Sequence, residues 1–181
     1  MQTPSSTAPL PEVRTMKAIV QTEYGSPDVL SLAEVERPLV PDNGVLVKVH
    51  ATSVDAGVWH LMRGTPFLIR LMYGGLRKPK HTILGSAIAG QVEAVGKAVT
   101  QFQPGDEVFG DLSESGFRGF AEYACAPEAA LALKPSNLSF EAAATIPVSG
   151  LAALQALRDV GQIQTGQKVL VLGASGGVGS F

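Results

Sequence analysis

Thiols are almost absent: Cys125 is the only cysteine among 181 residues. That excludes an internal disulfide and any thiolate-rich zinc site within one chain, and it is compatible with a reducing compartment. Charge is also scarce, at 17% of residues, and nearly balanced between 14 Lys plus Arg and 16 Asp plus Glu. A net charge of −2 gives no general attraction to nucleic acid or to an anionic membrane, so neither is expected as a partner. No apolar run approaches the roughly 18 residues of a membrane span. The opening MQTPSSTAPLPEVRT has no apolar signal core. A cytoplasmic location is the expectation.

What is present points to a globular, turn-rich chain. Apolar residues make up 45%, while Gly (20) and Pro (12) exceed average usage and favour short strands over long helices. Residues 1–15, rich in Pro, Ser and Thr, are expected to form a disordered tail. A first hairpin is predicted from MKAIVQ at 16–21 and the run 29–35, separated by the Tyr24-Gly25-Ser26-Pro27 turn cluster. After Asn43-Gly44 the segment 45–52 alternates with period two, Val45, Val47 and Val49 on one face and Lys48, His50 and Thr52 on the other. Further strands are predicted at 87–95, 107–109, 119–125 and 131–133, a spacing that suits a β-barrel or sandwich.

The pattern changes after Pro135. Ser139 is placed to cap a short helix through Ala144 that Pro147 stops, and Ser149 to cap a second carrying Leu151, Leu154 and Leu157. Lys168-Val169-Leu170-Val171-Leu172 then reads as a strand covered on both faces in a parallel sheet. It runs into Gly173-Ala174-Ser175-Gly176-Gly177-Val178-Gly179. Against the pattern G-x-G-x-x-G, Ala174, Gly176 and Gly179 take the three glycine positions. Small residues there let the backbone turn tightly and approach a pyrophosphate held by N–H groups at the start of the next helix. Ala174, Ser175, Gly176, Gly177, Val178 and Gly179 are therefore the candidate cofactor-binding residues, the competing reading being a plain flexible turn. The chain stops at Phe181, before any residue that would select a ribose substituent and before neighbouring strands, which points to a fragment, a shortened gene model or a split polypeptide.

From Met16 onward the chain resembles the amino-terminal half of a medium-chain dehydrogenase/reductase of the zinc-independent, quinone oxidoreductase-like branch. The resemblance rests, in order, on MKAIVQTEYGSPDVL (16–30), ATSVDAGVWHLMRG (51–64), LGSAIAGQVEAVG (84–96), FQPGDEVFG (102–110), GFAEYACAPE (119–128), AAATIPVSGLAALQAL (142–157) and VLVLGASGGVG (169–179). It implies a mainly β fold with some α: a GroES-like β-barrel substrate domain at 16–138, then the start of a Rossmann domain at 139–181. It also implies NAD(P)H, and NADPH in particular, transferring hydride to or from a carbonyl, quinone or enone. Geometry would be the chief protein contribution, since the cofactor carries the reactive hydride. Self-association or a complementing chain is a further implication, and a noncatalytic interaction module is the alternative reading.

Departures from the family bear on the site. Where zinc-dependent relatives carry Cys and Gly-His-Glu, this sequence has Asp55 and Gly85-Ser86-Ala87, so no zinc is expected. His50, His60 and His81 lack close ligand spacing and read as strand, loop or surface groups. In the zinc-independent branch Asn usually stands at the position of Asp55, and Asp at that of Ala87. Asn offers a donor and an acceptor to the nicotinamide region, whereas ionised Asp only accepts. Asp55 is thus either a cofactor contact or an exposed turn carboxylate. Phe120 and Tyr123 are candidate substrate-cleft residues, with packing as the alternative, and Trp59 and Met62 form an i, i+3 pair. Residues 56–92 contain no acid but carry Arg63, Arg70, Arg77, Lys78 and Lys80, either a cofactor-phosphate attractant or a solvated basic surface.

Overall fold

The computed structural model describes residues 14–73 and 75–181. Its centre is a five-stranded antiparallel sheet in the order β6-β3-β4-β5-β7, beside a two-stranded ribbon, β1-β2. The strands are β1 (Thr15–Gln21), β2 (Leu30–Glu36), β3 (Gly44–Thr52), β4 (Ala87–Val95), β5 (Glu107–Asp111), β6 (Tyr123–Pro127) and β7 (Leu131–Leu133). Isolated bridges Ala18 to Ala121 and Val20 to Ile83 fasten the ribbon to the segments that lead into β6 and β4. The fold is mainly β with some α, as the sequence implies.

The alternation expected in β3 is met. Val45 and Val47 are fully buried while Lys48, His50 and Thr52 are exposed. These valines join Ile88, Val92, Phe102, Val108 and Leu112 in the main core. β4 departs from simple alternation because both its faces are covered at one end. Ile88 enters the main core, whereas Ala89 packs under Ala143 and Ala144 of α3 (Phe140–Ala144). Small residues are required there: a Cβ on Gly90 would lie 2.1 Å from the Lys48 carbonyl oxygen.

Several boundaries differ from the sequence expectation. Ordered structure already includes Thr15, and the rest of the predicted tail, residues 1–13, lies outside the described residues. The strand predicted at 119–125 is β6, displaced to Tyr123–Pro127. Phe117 and Arg118 take left-handed backbone angles (φ 66° and 84°), so the chain turns before it pairs with β3. Ser139 caps α3 as expected, its Oγ accepting from the Ala142 N–H at 3.2 Å. Pro147, however, opens a helix rather than closing one. It sits in the first turn of α4 (Ile146–Leu154), where a missing N–H costs nothing, and Ser149 lies inside that helix, not at its cap. A π-helical stretch, Gln155–Val160, continues it.

The largest difference concerns residues 168–172, which form no strand. Leu170 is 84% and Leu172 85% exposed. A parallel-sheet strand needs neighbours on both edges and cover on both faces, and among the described residues none pair with this segment. The glycine-rich turn that follows leads into α5 (Gly177–Ser180).

Candidate functional site

Two further helices lie between β3 and β4: α1 (Ala56–Arg63) and α2 (Phe67–Tyr73). Asp55 is the N-cap of α1. Its Oδ1 accepts from the Val58 N–H at 2.9 Å, satisfying one of the orphan donors of the first turn. Its Oδ2 accepts from Ser86 Oγ at 2.6 Å. The carboxylate therefore ties the start of α1 to the turn before β4. Gly64 closes the helix in the left-handed region (φ 62°), donating its N–H to the His60 carbonyl.

That turn has little freedom. Gly85 has φ +92°, and a Cβ on it would stand 2.7 Å from the Phe120 backbone nitrogen. The Phe120 N–H donates to the Leu84 carbonyl at 2.9 Å, and the Gly119 N–H to that of Gly85 at 2.9 Å. Ser86 is buried, so its hydroxyl has Asp55 as a fixed acceptor.

Asp55 and Ser86 border a depression of about 270 Å³, whose walls include His60, Tyr73, Phe117 and Val148. Its size approaches the lower end of small-molecule pockets, roughly 300 Å³, and its mix of apolar walls with a few polar groups suits an uncharged organic molecule. A larger open groove of about 860 Å³ lies between β5 and α4. The Asp55 depression is the better candidate because its polar groups are held by named hydrogen bonds and converge on one point.

The glycine-rich turn packs against α4. Gly173 is left-handed (φ 73°), and the Gly176 N–H donates to its carbonyl at 2.9 Å. A Cβ on Gly179 would lie 2.2 Å from the Gly173 oxygen, so only glycine fits. A Cβ on Gly177 would meet Ser149 Oγ at 2.9 Å. Consecutive residues of α4 thus serve the two places: Val148 borders the Asp55 depression and Ser149 backs the glycine turn. The turn's tight path and its free backbone surface fit a bound diphosphate.

The structure brings Asp55 into the depression but not Phe120 or Tyr123. Phe120 packs against Val58, Met62 and Leu84, and the Arg37 guanidinium lies over the Tyr123 ring with Cζ 3.3 Å from its centroid. Both have packing partners, the alternative expected for them, and neither borders this depression. Of the expected Trp59 and Met62 pair, Met62 is buried in that same cluster, whereas Trp59 is 43% exposed under Arg63. His50 stacks on Phe140 at 4.5 Å and His60 Nδ1 lies 2.7 Å from the Thr65 carbonyl oxygen. Among the described residues no group of three or more His, Cys, Asp or Glu side chains converges as a metal site would need.

Phe117 escaped the sequence reading. It is buried, lies edge-on to Tyr73 and His81, and forms part of the depression's wall. Its only sequence signal is its place between Gly116 and Arg118-Gly119, where a sharp turn can aim a large side chain inward. Burial, reinforced by Lys80, lowers the affinity of His81 for a proton, opposed by a smaller contribution from the Gly116 backbone. Burial alone pushes the Cys125 thiol up, away from a reactive thiolate.

A β-rich fold, with a helix-capping carboxylate at a depression and a glycine turn packed on α4, defines the class. Residues 41–136 match the alcohol dehydrogenase GroES-like domain, and the chain belongs to that family, within the medium-chain dehydrogenase/reductase superfamily. It is 38% identical over 168 residues to human quinone oxidoreductase, covering 92% of this chain and 48% of that protein. Its identity to 2-methylene-furan-3-one reductase of Solanum lycopersicum is 38% over 174 residues, covering 92% and 42%. Among solved structures, the quinone oxidoreductase of Coxiella burnetii superposes with a TM-score of 0.81 at 33% identity, covering 92% of this chain and 51% of that one. CurK enoyl reductase superposes at 0.80 and 29%, covering 91% and 49%. The chain spans about half the length of these relatives.

Proposed function

We propose that this chain supplies the substrate-side domain and the phosphate-gripping turn of a zinc-independent, NADPH-dependent oxidoreductase acting on a carbonyl, quinone or activated alkene. The observation that carries the reading is the disposition of α4, with Val148 on the Asp55 depression and Ser149 on the glycine turn. One bound dinucleotide can then reach both. A nicotinamide, when bound, supplies the hydride. Backbone N–H groups of Ala174, Ser175, Gly177, Val178 and Gly179 would hold the diphosphate, in a turn fixed by the Gly176 N–H bond to the Gly173 carbonyl. Asp55, pinned by Ser86 and Val58, offers an acceptor toward the nicotinamide end and orients it. The walls formed by Phe117, Tyr73 and Val148 exclude water and accept an apolar acceptor molecule. Human quinone oxidoreductase and the tomato 2-methylene-furan-3-one reductase support the substrate class, and the NADPH-dependent alkenal/one oxidoreductase of Arabidopsis thaliana, 34% identical over 175 residues, supports the cofactor.

Domain limits near 16–138 and 139–181 are part of the same reading, as is the inability of the 181 residues to turn over alone. With 169–172 exposed and unpaired, the sheet that would bear a dinucleotide is not assembled. That same exposure favours a second reading, in which the apolar segment 169–172 becomes a strand only on pairing with a complementing chain. The test is a chimera in which this chain replaces the matching half of one of these relatives. NADPH-dependent quinone or enone reduction, lost on Gly179→Ala, is the expected result. A folded chimera that binds no NADPH would overturn the reading, and micromolar NADPH binding with turnover by the 181 residues alone would overturn the claimed incapacity.

A further inference from the structure

Helix α2 is turned inside out. Its one charged residue, Arg70, points inward: Nε donates to the Gly64 carbonyl at 2.8 Å, and the guanidinium lies 4.4 Å from the centre of the Tyr24 ring. Ile69 and Tyr73 also face in, toward the Asp55 depression. The apolar remainder faces out. Phe67 (64% exposed) and Leu71 (65%) form one i, i+4 pair, and Leu68 (58%) and Met72 (66%) form another beside it. Leu76, just beyond the helix, is 55% exposed. Arg63, Arg77, Lys78 and Lys80 flank this stripe in sequence and are exposed, and no acidic residue occurs in 56–92; in space Lys80 borders Leu71 and Met72 together with one acid, Glu114, so the flanking charge stays net positive.

We propose that this stripe and its cationic rim form a peripheral membrane-binding surface that seats α2 in the headgroup region of an anionic bilayer. A contiguous apolar stripe left in water needs a cover, and the charge around it narrows the choice. A second copy meeting it across a two-fold axis would set these cations against their own kind. An anionic lipid surface complements them. Phe67, Leu68, Leu71 and Met72 enter the acyl boundary while the long Arg and Lys side chains reach the phosphates. The net charge of −2 concealed this, because it averages a basic apolar face with acidic residues elsewhere. The inference does not rest on the oxidoreductase reading and stands or falls separately from NADPH binding.

Vesicle flotation of the full 181-residue chain tests it, with phosphatidylcholine vesicles against vesicles in which part of that lipid is replaced by phosphatidylglycerol. The chain is expected to float with the anionic vesicles, to stay behind with the neutral ones, and to be released by high salt. Replacing Arg77, Lys78 and Lys80 by Gln is expected to weaken partitioning by roughly fivefold per charge, on the order of a hundredfold together. Leu71→Ser with Met72→Ser, both exposed, is expected to weaken it at least about tenfold with an unchanged circular dichroism spectrum. Leu170→Ser with Leu172→Ser controls for the other exposed apolar segment and is expected to float like the parent. Failure to float with anionic vesicles would overturn the proposal, as would equal binding to neutral ones, α2 variants that bind like the parent, or loss of binding in the 170/172 control. Self-association or capture of an acidic protein without vesicle binding would also overturn it.

Discussion

β4 and the segment 168–172 are both apolar, yet they meet opposite fates. β4 contains a glycine, a glutamine and a glutamate, but Ala87, Ile88 and Ala89 are fully buried because β3 and β5 pair with its two edges and α3 covers its outer face. The segment at 168–172 has a denser apolar run and, among the described residues, no strand paired with it, and Leu170 and Leu172 stand almost fully in solvent. The difference shows that apolar content creates a demand for burial which only ladder partners and a covering layer can meet. Burying a leucine is worth roughly 1.5–3 kcal/mol, and that gain is not available to a strand with no sheet to join.

Charge substitutions sharpen the contrast most. Ile88→Asp places a carboxylate in the main core and is expected to cost on the order of 4 kcal/mol or more, so that the chain fails to fold. Leu170→Asp is expected to change stability by no more than about 0.5 kcal/mol and to improve solubility. Denaturant titrations of the two variants check this, and equal losses would break the contrast.

Glycine substitutions come next. Gly85→Ala forces a Cβ into a left-handed position against Phe120 and is expected to destabilise by about 2 kcal/mol. Gly179→Ala, equally crowded against the Gly173 oxygen but in the exposed turn, is expected to leave the denaturation midpoint of the 181 residues unchanged. Its effect belongs to dinucleotide binding in the chimera, read by the fluorescence of the reduced cofactor.

Asp55 separates support from function within the better-formed region. Asp55→Ala removes the cap of α1 and is expected to cost about 1 kcal/mol, whereas Asp55→Asn keeps the cap but turns an amide N–H toward the buried Ser86 hydroxyl and is expected to cost less than Asp55→Ala. In the chimera Asp55→Asn is expected to change KM for NADPH more than kcat, because Asn adds a donor at a positioning site. An unchanged KM in Asp55→Asn would reduce Asp55 to a cap.

The smallest effect is a pH dependence. His81 binds a proton less readily folded than unfolded, because burial and then Lys80 oppose its charge. Between its lowered folded value and the ordinary value of 6.5, the unfolded chain therefore holds more protons. Stability is complete above that window and declines as pH falls through it. Thermal melts from neutral to mildly acidic pH are expected to show His81→Gln declining less than the parent.

Much of the barrel was legible because its signals are local. Alternation marked β3, paired glycines and prolines marked the turns, and Ser139 marked the start of α3. The errors fell where long-range contacts decide. Pro147 reads as a stop or a start depending on whether the preceding turn carries on, and here Thr145 stays helical so that α3 runs into α4. At the site, Asp55 stood out by its departure from a family pattern, but its Ser86 partner lies 31 residues away and no spacing rule connects them. Phe120 shows in the sequence as a strand aromatic, whereas nothing local marks Phe117 as an aromatic aimed inward by a left-handed turn.

The β-rich part folds as a unit while the segment leading into the glycine turn remains open for want of neighbours. Amide hydrogen exchange on the 181-residue chain, comparing 87–95 with 168–173, measures this directly. Strong protection across β4 and near-intrinsic exchange at 168–173 are expected. Comparable protection of the two segments would contradict it.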